Sequence, residues 1–142
     1  METISKNFCY LEFERSETAR RTGIVNVIAT AEVKENIKSL VEDVLQPLRD
    51  AYGKPLRINS GYRCPELNNL VGGSPSSQHI KGEAADISCS KPAELAQLAY
   101  DLHLPFDQMI VYPGFVHFSH KRGRQRQQIL YAKTYKGDRI KL

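Results

Sequence analysis

Three side chains in this sequence combine ligand and acid–base chemistry at a spacing that folding can bring together: His79, Asp86 and His117. His79 and Asp86 lie seven residues apart in Ser77-Gln-His-Ile-Lys-Gly-Glu-Ala-Ala-Asp86, with small residues between them. Partners on one helix face sit three or four residues apart, so this spacing fits a loop that crosses into a strand. An imidazole and a carboxylate converging on one point suit zinc. The segment Phe115-Val-His-Phe-Ser119 supplies a second imidazole. In a strand, Phe115, His117 and Ser119 share one face while Val116 and Phe118 take the other. With Val116 and Phe118 in the core, His117 faces a cleft and becomes a third ligand. Three protein ligands leave one tetrahedral position for water, which is the open, catalytic kind of zinc site. Each residue has a plainer alternative. His79 can be a polar loop residue, Asp86 can cap a turn, and His117 can be an ordinary strand histidine. His103 and His120 read as surface residues.

The elements that must position these groups follow from periodicity and punctuation. Residues 1–15 mix Phe8, Tyr10, Leu11 and Phe13 with charges and read as an irregular arm. Ser16 to Gly23 reads as a short helix with Ser16 as cap and Gly23 as stop. From Thr30, the residues Val33, Ile37, Leu40, Val41, Val44 and Leu48 form one helical stripe that ends at Gly53. Pro47 inside it removes a backbone hydrogen bond and should kink the last turn. Leu56 to Asn59 reads as a strand, Pro65 to Val71 as a helix, and Ala84 to Ser88 as a buried strand. Pro92 to Leu104 is a helix with Leu95, Leu98, Ala99 and Leu102 inward. Asp107 to Tyr112 and Phe115 to Ser119 are strands joined by Pro113-Gly114. Gln128 to Tyr135 and Arg139 to Leu142 are expected to form a last hairpin. Helices early and strands late give an α+β fold with a mainly antiparallel sheet.

The totals set outer bounds. The chain of 142 residues is most simply one domain spanning 1–142. No apolar run reaches the length of a membrane span. The N-terminal residues lack the basic start and apolar core of a signal peptide, so synthesis in the cytosol is expected. Cys9, Cys64 and Cys89 cannot all pair within one molecule and read as reduced thiols. Cys89 lies three residues after Asp86 and could approach a metal, but a packed or exposed thiol is the plainer reading. From His117 to the end there are eight basic residues and one acid, a net +7, so the rest of the chain sums to 4 − 7 = −3. A basic end attracts anionic polymers such as nucleic acid or an acidic cell wall. It equally suits a solvated strand edge, and no aromatic–basic interleaving marks a nucleic-acid surface.

Taken together, Ser77-x-His79-x-x-Gly82-x-Ala84-x-Asp86, the preceding Ser60-Gly-Tyr-Arg63 and the later strand with His117 resemble the M15 peptidases. These are the zinc D-alanyl-D-alanine carboxypeptidases and phage endolysins, whose fold is shared with the hedgehog signalling domain. Gln46-Pro-Leu-Arg-Asp50, Leu67-Asn68 and Val71-Gly-Gly73 point to a short subfamily, and the likeness runs from about Phe8 to Ser119. The resemblance implies that His79, Asp86 and His117 hold zinc. It also implies that Arg63 binds the scissile carbonyl or substrate backbone and that Ser77 meets the substrate's terminal carboxylate. Arginine's permanent charge and fixed fork of donors suit an oxyanion; a salt bridge to Asp50 or Glu66 is the alternative. In many members a glutamate three residues before the last histidine is the general base. Here that position is Gly114. Asp107 is the nearest acid upstream and the candidate base, with Tyr112, Gln108 and His120 behind it. Two functions follow. One is a zinc peptidase acting as a monomer on a peptidoglycan stem peptide, at the cell wall if it is a phage lysin. The other is a zinc-containing binding module with catalysis lost.

Overall fold

Alternation of small and branched apolar residues builds the centre of the molecule. In the computed structural model, which describes residues 2–142, Ala85 and Ile87 of β4 (Ala84–Ser88), Met109 and Val111 of β5 (Gln108–Tyr112), and Val116 and Phe118 of β6 (Phe115–Ser119) are all buried. They form one face of a five-stranded sheet. Its order is β3 (Arg57–Ser60), β4, β6, β5 and β7 (Gln128–Tyr131). Neighbours are antiparallel except β5 and β7, which run parallel. The fold is therefore α+β with a mainly antiparallel sheet.

The long apolar stripe covers the core. Ile37 and Leu40 lie on α3 (Ala31–Leu40), and Leu48 on α4 (Gln46–Tyr52); each is buried. Thr30 caps α3 by accepting a hydrogen bond from the Val33 amide at 3.2 Å. Between the two helices, Val41–Leu45 widen into a π-helical turn. Pro47 has no N–H to give, and its ring would meet the carbonyl four residues back. The widening falls just before Pro47, which sits in the first turn of α4. The helix α6 (Pro92–Asp101) buries Leu95 and Ala99 and packs on β5 and β6. Leu102, expected on its inner stripe, lies beyond the helix and is exposed.

Two terminal segments differ from expectation. The N-terminal arm is ordered as β1 (Thr3–Ser5), β2 (Phe8–Cys9) and α1 (Tyr10–Glu14), with Phe8, Tyr10 and Phe13 buried. Short elements of this kind carry too few periods to be read from sequence. After β7 the chain makes no hairpin. Side chains tie it down instead: the Ile140 amide donates to the Tyr131 hydroxyl at 2.9 Å, and the Lys141 amide to Gln97 Oε1 at 2.7 Å. The helices α2 (Glu17–Thr22) and α5 (Pro65–Leu70) complete the fold near the expected places.

Candidate metal centre

Strand register does the first part of the assembly. Asp86 on β4 pairs directly with His117 on β6, and His117 pairs with Ile110 on β5. The three side chains form one row across the polar face of the sheet, because alternation turns Ala85, Ile87, Val116 and Phe118 to the other side. A loop brings His79 to the same row. Its turns are closed by Ile80 N to Ser77 O at 3.2 Å and Glu83 N to Gln78 O at 3.0 Å. Gly82 ends the loop at φ +74°, where an added Cβ would sit 2.7 Å from the Val33 carbonyl oxygen. Gly61 is as tightly placed against Phe13, and its carbonyl lies 2.7 Å from His79 Nδ1.

The result is a convergence of donor atoms. His117 Nδ1 lies 2.8 Å from Asp86 Oδ1, His79 Nε2 lies 3.5 Å from the same oxygen, and one ligand atom from each residue falls within 4.8 Å of the others. Tetrahedral zinc with bonds near 2.0–2.1 Å sets its ligand atoms about 3.3 Å apart, so this set is of the right size. Outer contacts fix which nitrogens face inward. The Gly61 carbonyl only accepts, so His79 Nδ1 donates to it, and in the neutral ring Nε2 keeps its lone pair. Gln78 Nε2 donates to the Asp107 carboxylate at 3.3 Å and to Ser119 Oγ at 3.1 Å, which turns Gln78 Oε1 towards His117 Nε2 at 3.0 Å. His117 Nε2 must then donate, and Nδ1 of the neutral ring faces Asp86 with its lone pair. Two lone pairs and a carboxylate oxygen meet at one place. Either protons on the inward nitrogens or a single cation can hold them together, and the donor set of two imidazoles and one carboxylate fits zinc. With protons on the inward nitrogens, burial still pushes the Asp86 carboxyl up, but hydrogen bonds from His117 and His79 outweigh it and hold the group well below the usual carboxylate range.

The sequence pattern of the family described as Peptidase M15 matches residues 6–120. The chain belongs to the M15 peptidase family. It is also 31% identical over 120 residues to the zinc D-Ala-D-Ala carboxypeptidase of Streptomyces albus G, covering 82% of this chain and 46% of that protein. This M15 chain thus spans under half the length of the curated relative it matches.

The remaining residues divide around this M15 centre. Arg63 and Ser77 line the same cleft of about 570 Å³ as His79, Asp86 and His117. Arg63 makes no salt bridge to Asp50 or Glu66; its Nε is buried with no hydrogen-bond partner. Burial pushes its guanidinium below its ordinary value, and Asp86 pulls it back up. Ser77 Oγ accepts from the His79 amide at 3.2 Å. Asp107 is not brought into the cleft lining. It is buried, and its Oδ1 accepts from Arg126 N and Nε at 2.9 and 3.0 Å, its Oδ2 from Arg126 Nη2 at 2.8 Å. The cleft-facing positions of β5 are Gln108, Ile110 and Tyr112, and none carries an acid.

His120 corrects the sequence reading. It is buried, not at the surface, with Nδ1 2.7 Å from Pro105 O and Nε2 2.9 Å from both Asp43 Oδ2 and Ser39 Oγ. Cys89 stays outside the metal cluster, and burial pushes its thiol up, as expected of a packed thiol. Gln78 had no role in the sequence reading. Its only signal is its place beside His79, since the two acceptors that orient its amide lie 29 and 41 residues away.

Proposed function

We propose that this chain is a zinc-dependent peptidase that hydrolyses a peptide bond in the peptidoglycan stem, as a D-Ala-D-Ala carboxypeptidase or an L-Ala-D-Glu-type endopeptidase. The observation that carries this reading is the inward aim of His79 Nε2, Asp86 Oδ1 and His117 Nδ1, each backed by an outer contact or a strand pair. His79, Asp86 and His117 would hold the ion. Zinc supplies a Lewis acid that polarises the scissile carbonyl and acidifies water. Membership of the M15 family and the likeness to the Streptomyces zinc D-Ala-D-Ala carboxypeptidase support the reaction class.

The other residues follow from their surroundings. Arg63 presents a half-buried guanidinium at the cleft wall, its charge suited to negative charge gathering on a carbonyl oxygen. Ser77 offers a hydroxyl donor at the cleft wall for the substrate's terminal carboxylate. Gln78 orients His117. Asp107, whose carboxylate is committed to Arg126, acts through Gln78 as its anchor.

One observation favours a second reading, a zinc-containing wall-binding module without turnover. Apart from Asp86, no carboxylate among the described residues lines the cleft to serve as general base. Incubation of purified peptidoglycan and of a stem peptide ending in D-Ala-D-Ala, with and without chelator, separates the two. Chelator-sensitive cleavage, lost in His79→Ala, supports the enzyme. One zinc per chain with no product from any stem peptide sinks it in favour of the module.

A further inference from the structure

A second concavity of about 500 Å³ opens beside the cleft and shares three of its walls, Ser76, Gln78 and Arg126. Lys81, Lys121 and Arg124 also line it. Among the described residues, none of these three forms a salt bridge. Two acids also line it. Asp107 is neutralised by Arg126, and burial pushes the Glu83 carboxyl up, against the pull of Lys81 and Lys121. With those pairs counted, three cations face one acid, a net of +2 at the mouth of the cleft. Solvated lysines on a convex surface would carry no message, but here like charges line a hollow continuous with the site. Such a hollow focuses the field and gathers anions. It also draws on the basic C-terminal portion, whose charge is +7 in a chain of +4.

We propose that this hollow is an anion-binding subsite of the peptidase cleft. It receives a free carboxylate carried by an internal residue of the substrate peptide near its scissile bond, apart from the chain terminus that Ser77 meets, so the chain prefers acidic stem peptides over amidated ones. Gln78 and Arg126 lie at the junction, with Arg126 held in place by Asp107. Lys81, Lys121 and Arg124 then supply charge without a fixed geometry, as lysine-rich anion sites do. The inference rests on the peptidase reading for its substrate class.

The test uses two synthetic stem peptides that differ only in a free acid or a primary amide on an internal residue near the scissile bond, both keeping the free C-terminal carboxylate assigned to Ser77. Cleavage and binding, by anisotropy of labelled peptide on the zinc-loaded chain, are measured side by side. The acid peptide is expected to have a roughly five- to tenfold lower KM and Kd, shrinking with added salt, as a few exposed charge pairs allow. In Lys121→Ala/Arg124→Ala the preference should fall to near one. Both side chains are exposed, and the loop is held through the Lys121 backbone and Gln125, so folding is preserved. Equal KM and Kd for acid and amide in the wild type, or an unaltered preference in the variant, overturns the subsite. Competition by glycerol-phosphate polymer without acid–amide discrimination also overturns it, since the anion would then be a wall phosphate. If neither peptide is cleaved, the peptidase reading fails by itself, and the binding arm still decides the subsite.

Discussion

The strand β6 and the residue just after it carry two buried histidines three residues apart, His117 and His120, and their surroundings differ in kind. The ring of His120 is enclosed by single oxygen partners on separate elements: Pro105 O, Asp43 Oδ2 and Ser39 Oγ. The ring bonds to Pro105 O and Ser39 Oγ and lies against the Asp43 carboxylate, and together these contacts tie the end of β6 to α3 and the π turn. The ring of His117 shares its carboxylate with a second imidazole, and each imidazole is held from behind by an acceptor. A histidine among oxygens is a structural tie. Two histidines backed so that both aim at one carboxylate make a place for a cation.

The largest difference expected between them is in metal and turnover. His117→Ala or Asp86→Ala should reduce zinc below one per chain and lower hydrolysis about a thousandfold or more. His120→Ala should keep zinc at one per chain. Metal analysis of purified protein reads this directly, and loss of zinc from His120→Ala would erase the distinction.

The next effect sharpens what lies behind His117. Gln78→Leu removes the acceptor for Nε2 and should weaken zinc binding by about ten- to a hundredfold, the usual cost of losing such a partner. Competition against a chromophoric chelator measures it. An unchanged affinity would leave Gln78 as a loop residue only.

His120→Ala, in turn, should cost stability where His117→Ala costs metal. It removes the links to Pro105, Ser39 and Asp43, of which Asp43 is half exposed and can be resolvated. A loss of about 1–2 kcal/mol is expected, or several degrees in Tm. No change in Tm would mean that the tie carries no load.

The contrast also explains what could be read in advance. Asp86 and His117 were legible because strand alternation alone fixes which neighbours are core and which are not. His79 was a candidate from the loop spacing, which left a polar loop residue equally open until the M15 resemblance implied a ligand, and Ser16 and Thr30 were legible from capping. His120 was misread because β6 has only five residues, and the residue after it is buried by contacts 15 and 81 positions away that no local pattern encodes. Gln78 was missed for the same reason. The missing hairpin after β7 shows the reverse. A hairpin from Gln128 to Leu142 was expected there, but tyrosine and glutamine side chains took the backbone donors that a ladder would have used.

The smallest effect concerns Asp107, which stands behind Gln78 as Gly61 stands behind His79. Hydrogen bonding from Arg126 holds its carboxyl below the usual carboxylate range, with burial opposing. A depressed folded pKa adds stability that is present above the unfolded value, about 3.9, and lost as pH falls through the folded one. Unfolding curves between neutral pH and about pH 3 should therefore show an acid-dependent loss in the wild type that is weaker in Asp107→Asn. At neutral pH the variant should be about 1 kcal/mol less stable. Asparagine can also present an N–H to Gln78, which frees the Gln78 amide to turn over and offer its own N–H to His117. Zinc affinity should then fall a few-fold, in the same direction as Gln78→Leu but less. A collapse of turnover with zinc affinity unchanged would instead make Asp107 the general base. Its ion pair with Arg126 would then have to open when substrate binds.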